Sequence, residues 1–179
     1  TPHVRVTPDG AVWAQWLRNS PGGGGGSDIV LTRSGDGGAS WSTPVLVNTD
    51  ATATEHGFAA MWPAAESRMG LAWLDGRATA LAPPQGHELR QHAHGESGMT
   101  MLRAAIFDAD LERGGESAVD TSVCDCCQTD VANTAAGPLL IDRDRTRGRL
   151  ADLVRTDGLA AVSTDWGPRL GLRPWRWAA

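Results

Sequence analysis

The chain has no lysine and no tyrosine, only two phenylalanines, and three cysteines among 179 residues. All 16 basic side chains are therefore arginine, and no phenolic nucleophile or acid can come from this sequence. Abundant Ala, Gly, Arg and Trp alongside these gaps points to a GC-rich coding sequence before it points to function. Acidic residues outnumber basic ones, 21 to 16, for a net charge of −5. That balance excludes a general basic footprint for nucleic acid. No apolar run approaches membrane-spanning length. Helical periodicity is poor over residues 1–145, whereas short extended runs separated by Gly, Asp and Pro recur, which favours an all-β array. The start at Thr1 fits a processed exported protein as well as an excised fragment, and the expected location is periplasmic or extracellular.

The densest local signal is Ser34-Gly-Asp-Gly-Gly-Ala-Ser-Trp41. Its spacing, S-x-D-x-G-x-[ST]-W, makes physical sense as a hairpin turn. Asp36 can accept hydrogen bonds from backbone amides just ahead of it, and the glycines accept positive φ without a side-chain clash. Ser40 starts the returning strand, and Trp41 is expected to fold back over the turn as an apolar plug. Extended flanks, 28–34 and 41–47, agree. Before it come a strand, a Pro8-Asp9-Gly10 turn and a second strand over 11–17. Five consecutive glycines within 21–27 form a loop in which no phosphate cradle is expected, since neither helix pattern nor Lys follows. A second unit begins near Glu55 and includes Arg68–Arg77, a long loop over 78–98 and a strand over 99–107. A third is expected from Ser117 through the cysteine string to Ile141. Residues from 147 on differ. Eight of the sixteen arginines lie at or after Arg143, and three tryptophans fall in the last fourteen positions. A short helix over 150–155 is the only pattern there, so an irregular, poorly ordered tail is expected over 147–179.

The 34–41 octet resembles the Asp box of sialidase-type β-propellers. Leu71-Ala-Trp-Leu-Asp-Gly-Arg77, Met101–Phe107, Val123-Cys-Asp-Cys-Cys-Gln-Thr-Asp130 and Asp142-Arg-Asp-Arg145 are similar to segments of one bacterial group of sialidase-like, BNR-repeat proteins, often called exo-α-sialidases. The likeness covers most of residues 4–146 and implies a partial sialidase-like β-propeller over 1–146, with about three four-stranded antiparallel blades. A whole propeller needs about 4–8 blades of roughly 40–50 residues each, more than this length allows. The implied activity is hydrolysis of terminal sialic acid or a related anionic glycan. That chemistry needs arginines that clamp a carboxylate in bidentate fashion, an Asp acid/base and a Tyr–Glu nucleophile pair. Arg77, Arg103 and Arg143 occupy successive units and are the candidate ligand-binding arginines. Asp75 and Asp144 are the candidate catalytic acids beside them. With no tyrosine present, no turnover is expected from this chain.

Cys124, Cys126 and Cys127 leave three readings open. On a strand, Cys124 and Cys126 would share one face and Cys127 the other. A bond between neighbours Cys126 and Cys127 would be strained. A disulfide to a segment beyond the matched region is one reading, and group members carry a later cysteine. A soft-metal site for Cu or Zn is the second, with His92 or His94 as a further ligand. A redox or buried-thiol role is the third. His87, His92 and His94 read as a polar loop, and His56 as a strand cap in preference to a pocket-lining residue. Trp13, Trp16, Trp62 and Trp73 read as strand core. A non-catalytic glycan- or protein-binding propeller, or a metal-handling one in the cell envelope, is the alternative to a hydrolase.

Overall fold

The computed structural model describes residues 2–21, 25–81, 99–134 and 137–143, together with the backbone of 153–156 and 159–163. Three open sheets carry the fold, and among the described residues there is no α-helix. The first is a meander of β1 (His3–Val6), β2 (Val12–Asn19), β3 (Ser27–Ser34) and the two-residue β4 (Val45–Leu46). The second is a meander of β5 (His56–Ala65), β6 (Arg68–Asp75), β7 (Met101–Phe107) and β8 (Ser117–Asp120), all antiparallel. A 3-10 turn, Arg77–Leu81, follows β6.

The third sheet departs from the expected pattern. Its β9 (Asp130–Thr134) and β10 (Gly137–Asp142) form an antiparallel hairpin. Next to β10, however, lies β12 (Leu159–Ser163), in parallel, and β11 (Leu153–Thr156) takes the outer edge. Because β11 sits outside and runs antiparallel to β12, the returning strand must enter in the direction of β10. The backbone of 153–156 is thus extended where a helix was expected. The rest of 144–179 lies outside the described residues. Ser117 also belongs elsewhere than expected: it opens β8 and completes the second sheet, while the third starts at Asp130.

The second sheet is the middle layer and is apolar on both faces. Met61, Leu71, Trp73, Ala105 and Phe107 pack toward Trp13, Ile29, Leu31 and Val47 of the first sheet and its exit. Their alternates Ala60, Trp62, Ala72, Leu74, Leu102 and Ala104, joined by Val119 of β8, pack against Val123 and Leu140 on the other side. This double burial explains why β6 reads Met-Gly-Leu-Ala-Trp-Leu without the alternation of a half-exposed strand. Trp13, Trp62 and Trp73 are core, as expected, and Trp16 is half-buried. The leading strands lie side by side, β5 between β1 and β9. Asn133 Nδ2 donates to the Pro63 carbonyl at 3.2 Å, and the Asp9 amide to the Glu66 carbonyl at 3.1 Å.

The turn between β3 and β4 forms as its chemistry requires. Gly37 and Gly38 take φ of 73° and 96°. Asp36 accepts the Ser40 amide at 2.9 Å and the Ser40 hydroxyl at 2.6 Å, and the Ser34 hydroxyl donates to it at 2.7 Å. Those donors, Ser40 foremost, hold its carboxyl well below the usual range. Trp41 does fold back, donating Nε1–H to the Gly38 carbonyl at 3.2 Å, yet its side remains 46% exposed. It is a lid on the turn rather than a buried plug.

Gly70 faces Trp62 across the β5–β6 pair, and a Cβ there would fall 2.1 Å from the indole. Gly70→Ala therefore forces the buried ring to move, at about 1–3 kcal/mol for overpacking. Urea unfolding should show that loss as a lowered midpoint with the slope retained.

Candidate functional site

Two groups of side chains are built by the stacking of these sheets. In the first, His56 opens β5 and pairs in register with Asp75 at the end of β6, while Asp50 arrives on the link out of β4. His56 is wholly buried, and its Nδ1 lies 2.9 Å from the Ser27 carbonyl, which can only accept, so Nδ1 carries a proton. Nε2 sits 3.0 Å from Asp50 Oδ2 and 3.6 Å from Asp75 Oδ1, an ion-pair placement off the line of a straight hydrogen bond. Asp75 is fully buried as well. Its oxygens receive Trp73 Nε1–H at 2.9 Å, the Arg77 amide at 3.0 Å, and a guanidinium fork from Arg77 at 2.8 and 2.7 Å. Arg77 Nη2 is also 3.5 Å from Asp50 and 2.9 Å from Glu116. Glu116 is shared with Arg103 and with Arg113, the latter at 2.5 Å. Arg113 reaches back to the first sheet's exit through the Val47 carbonyl at 3.1 Å and the Thr49 hydroxyl at 2.6 Å.

The electrostatics follow from this packing. Burial works against charge on Asp75, but His56, Arg77 and Trp73 outweigh it and hold the carboxyl well below its ordinary range. Burial likewise opposes charge on His56, and Asp75 and Asp50 overcome it, raising the imidazole above 6.5. Asp50 is lowered despite burial, chiefly by Thr52. The network thus holds an ionised core that ties the first two sheets together.

The second group is the cysteine turn. Residues 125 and 126 form a turn, not a strand, so the expected split of the sulfurs onto two faces does not occur. Cys127 Sγ lies 2.8 Å and Cys126 Sγ 3.2 Å from Cys124 Sγ, and all three fall within 4.8 Å of one another. Cys124 is buried, Cys127 half-buried and Cys126 exposed. Arg143, after β10, accepts the Cys124 amide on its carbonyl at 2.8 Å. Its Nη1 sits 3.6 Å from Cys127 Sγ and 3.9 Å from Cys124 Sγ. The crowding pushes the Cys126 thiol up to about 11, with Cys124 the main cause and Cys127 next. Further along, Thr129 donates its hydroxyl to the carbonyl of Phe58, where β5 bulges and the Phe58 φ is 48°.

Of the expected site residues, Arg77 and Arg103 do come together, through Glu116. Arg143 contacts the cysteine sulfurs instead. Asp75 faces the buried network, with Arg77 locked onto it. Asp144, His87, His92 and His94 lie outside the described residues. Sequence reasoning missed Asp50, Glu116 and Arg113, which no local pattern marks; His56, expected as a strand cap in preference to a pocket-lining residue, is buried in the network.

Both groups have ligand atoms close enough to hold a cation. The Asp50–His56–Asp75 group already contains one, the Arg77 guanidinium. The thiol group has sulfur on three sides and suits a soft metal. No protein-family model matches the chain, and no curated protein matches it.

The network sets a pH dependence. Asp50 and Asp75, lowered from 3.8, stabilise the fold above that value, and the contribution is lost on acidification through their folded pKa. His56, raised from 6.5, contributes fully below 6.5, and this is lost as pH rises through its folded pKa. Urea unfolding should therefore show stability declining above about pH 6.5, and His56→Gln should flatten that limb. An imidazole NMR titration of His56 in the unaltered chain should have its midpoint above 6.5. A midpoint below it would contradict the placement.

Proposed function

We propose that this chain is a sialidase-like propeller segment that holds a soft metal ion, Cu(I) or Zn, rather than one that cleaves a glycoside. The observation that carries the reading is the convergence of Cys124, Cys126 and Cys127 to within 4.8 Å. Thiolates select Cu(I) and Zn over harder cations. A cation among them offsets the mutual repulsion that otherwise keeps Cys126 protonated. Arg143 Nη1 already faces two of the three sulfurs, those of Cys124 and Cys127.

The propeller part of the proposal is supported by the meander of the first two sheets, their face-to-face stacking and the neighbouring leading strands. The Asp-box turn sits between the third and fourth strands of its sheet. The envelope compartment expected from the sequence, periplasmic or extracellular, belongs to the same proposal.

A glycosidase reading draws less from the geometry. A clamp for a substrate carboxylate needs free guanidinium forks, and Arg77 and Arg103 are committed to Asp75 and Glu116. A general acid must reach the leaving oxygen, and Asp75 is fully buried.

Anaerobic titration of the reduced chain should show uptake of one Cu(I) or Zn per chain, with the absorption of metal–thiolate bonds. Cys124→Ser should abolish stoichiometric uptake, because that sulfur adjoins both others. A reduced chain that takes up neither metal overturns the reading. Release of a fluorogenic leaving group from a sialoside by the 179-residue chain would restore the hydrolase.

A further inference from the structure

We propose that Cys124 and Cys127 are a thiol–disulfide exchange pair, and that closing their bond empties the three-sulfur site. The metal-release half of this rests on the metal-binding reading above; the exchange half does not.

The geometry separates the three sulfurs by task. Cys124 and Cys127 lie 2.8 Å apart at sulfur, nearer than the 3.2 Å between Cys124 and Cys126, and they bracket the turn at 125 and 126. A turn of four residues brings its end Cα atoms within about 7 Å, and a relaxed disulfide spans about 4.4–6.8 Å between Cα atoms. The bond can therefore form without dismantling the hairpin that follows. The vicinal pair Cys126–Cys127 has no such freedom, at about 3.8 Å between Cα atoms. Arg143 Nη1 faces both members of the pair, 3.6 Å from Cys127 Sγ and 3.9 Å from Cys124 Sγ. Burial gives the order of events. Cys127 is half-buried and open to a small reagent, whereas Cys124 is buried.

The reaction needs an oxidant of the small-disulfide class, such as oxidised glutathione. Cys127 sulfur attacks one sulfur of the reagent, breaking its S–S bond, forming a mixed disulfide and expelling one thiolate. Cys124 sulfur then attacks the Cys127 sulfur, forming the internal bond and expelling the second thiolate. Two protein thiols lose two electrons and two protons, and the reagent is reduced to two thiols. Cys126 keeps its thiol. One sulfur cannot anchor a soft ion as three do, so oxidation discharges the metal. A filled site in turn blocks exchange, since both use the same two sulfurs.

The test treats the reduced, metal-free chain with oxidised glutathione under anaerobic conditions, followed by alkylation and peptide mass mapping. The expected product has Cys126 alkylated and Cys124 joined to Cys127. Cys124→Ser should stop at a glutathione adduct on Cys127, and Cys126→Ser should close the bond as the unaltered chain does. A glutathione adduct confined to Cys126, or an internal bond that uses Cys126, overturns the exchange pair. In a second arm, the Zn-loaded chain is oxidised beside a chromophoric chelator, and one Zn should appear per internal bond formed. Bond formation with the metal retained overturns the discharge. A reduced chain that takes up no metal but still joins Cys124 to Cys127 refutes the metal-binding reading and leaves the exchange pair standing.

Discussion

The double burial of the second sheet is the constraint on which the rest depends. A sheet with Leu71 and Trp73 on one face and Ala72 and Leu74 on the other must be covered twice. Fully burying each large apolar side chain is worth about 1.5–3 kcal/mol, so leaving either face open forfeits several such contributions at once. The first sheet covers one side through Trp13, Ile29 and Leu31. The third sheet and the loop before it cover the other through Val123 and Leu140. Both side-chain groups sit where these covers meet the middle layer.

Coverage on the first side places Asp50 beside His56 and Asp75. Desolvation there would drive single charges to neutrality, but opposite charges in contact hold one another ionised. On the second side, Val123 is anchored by its amide to the Thr100 carbonyl at 2.9 Å, and the next residue, Cys124, is anchored to Arg143. The turn between those anchors and Thr129 is short, so its three sulfurs have little room to separate. The cysteine cluster is thus a consequence of how the third sheet is fastened to the second.

What the sequence revealed was local. The octet from Ser34 to Trp41 contains its own donors and acceptors, so its turn is legible without the remainder of the chain. The continuous apolar run of β6 and the Asp-Gly punctuation likewise show strands and turns. The site was less legible, because its contacts are distant in sequence. Ser27 meets His56, and Arg113 meets Val47, only after the sheets stack. The cysteines were misjudged for a related reason: a strand and a turn of the same residues place the sulfurs on opposite faces or together, and the choice is made by anchors at Thr100 and Arg143. The order of strands in the third sheet is also non-local, since the position of β11 outside β12 leaves no mark on either segment.

X-ray absorption at the Zn edge of the anaerobically loaded chain tests the central claim, that stacking brings all three cysteines to one point. The account predicts three sulfur neighbours at about 2.3 Å. A first shell of nitrogen and oxygen, or one with a single sulfur, would contradict it.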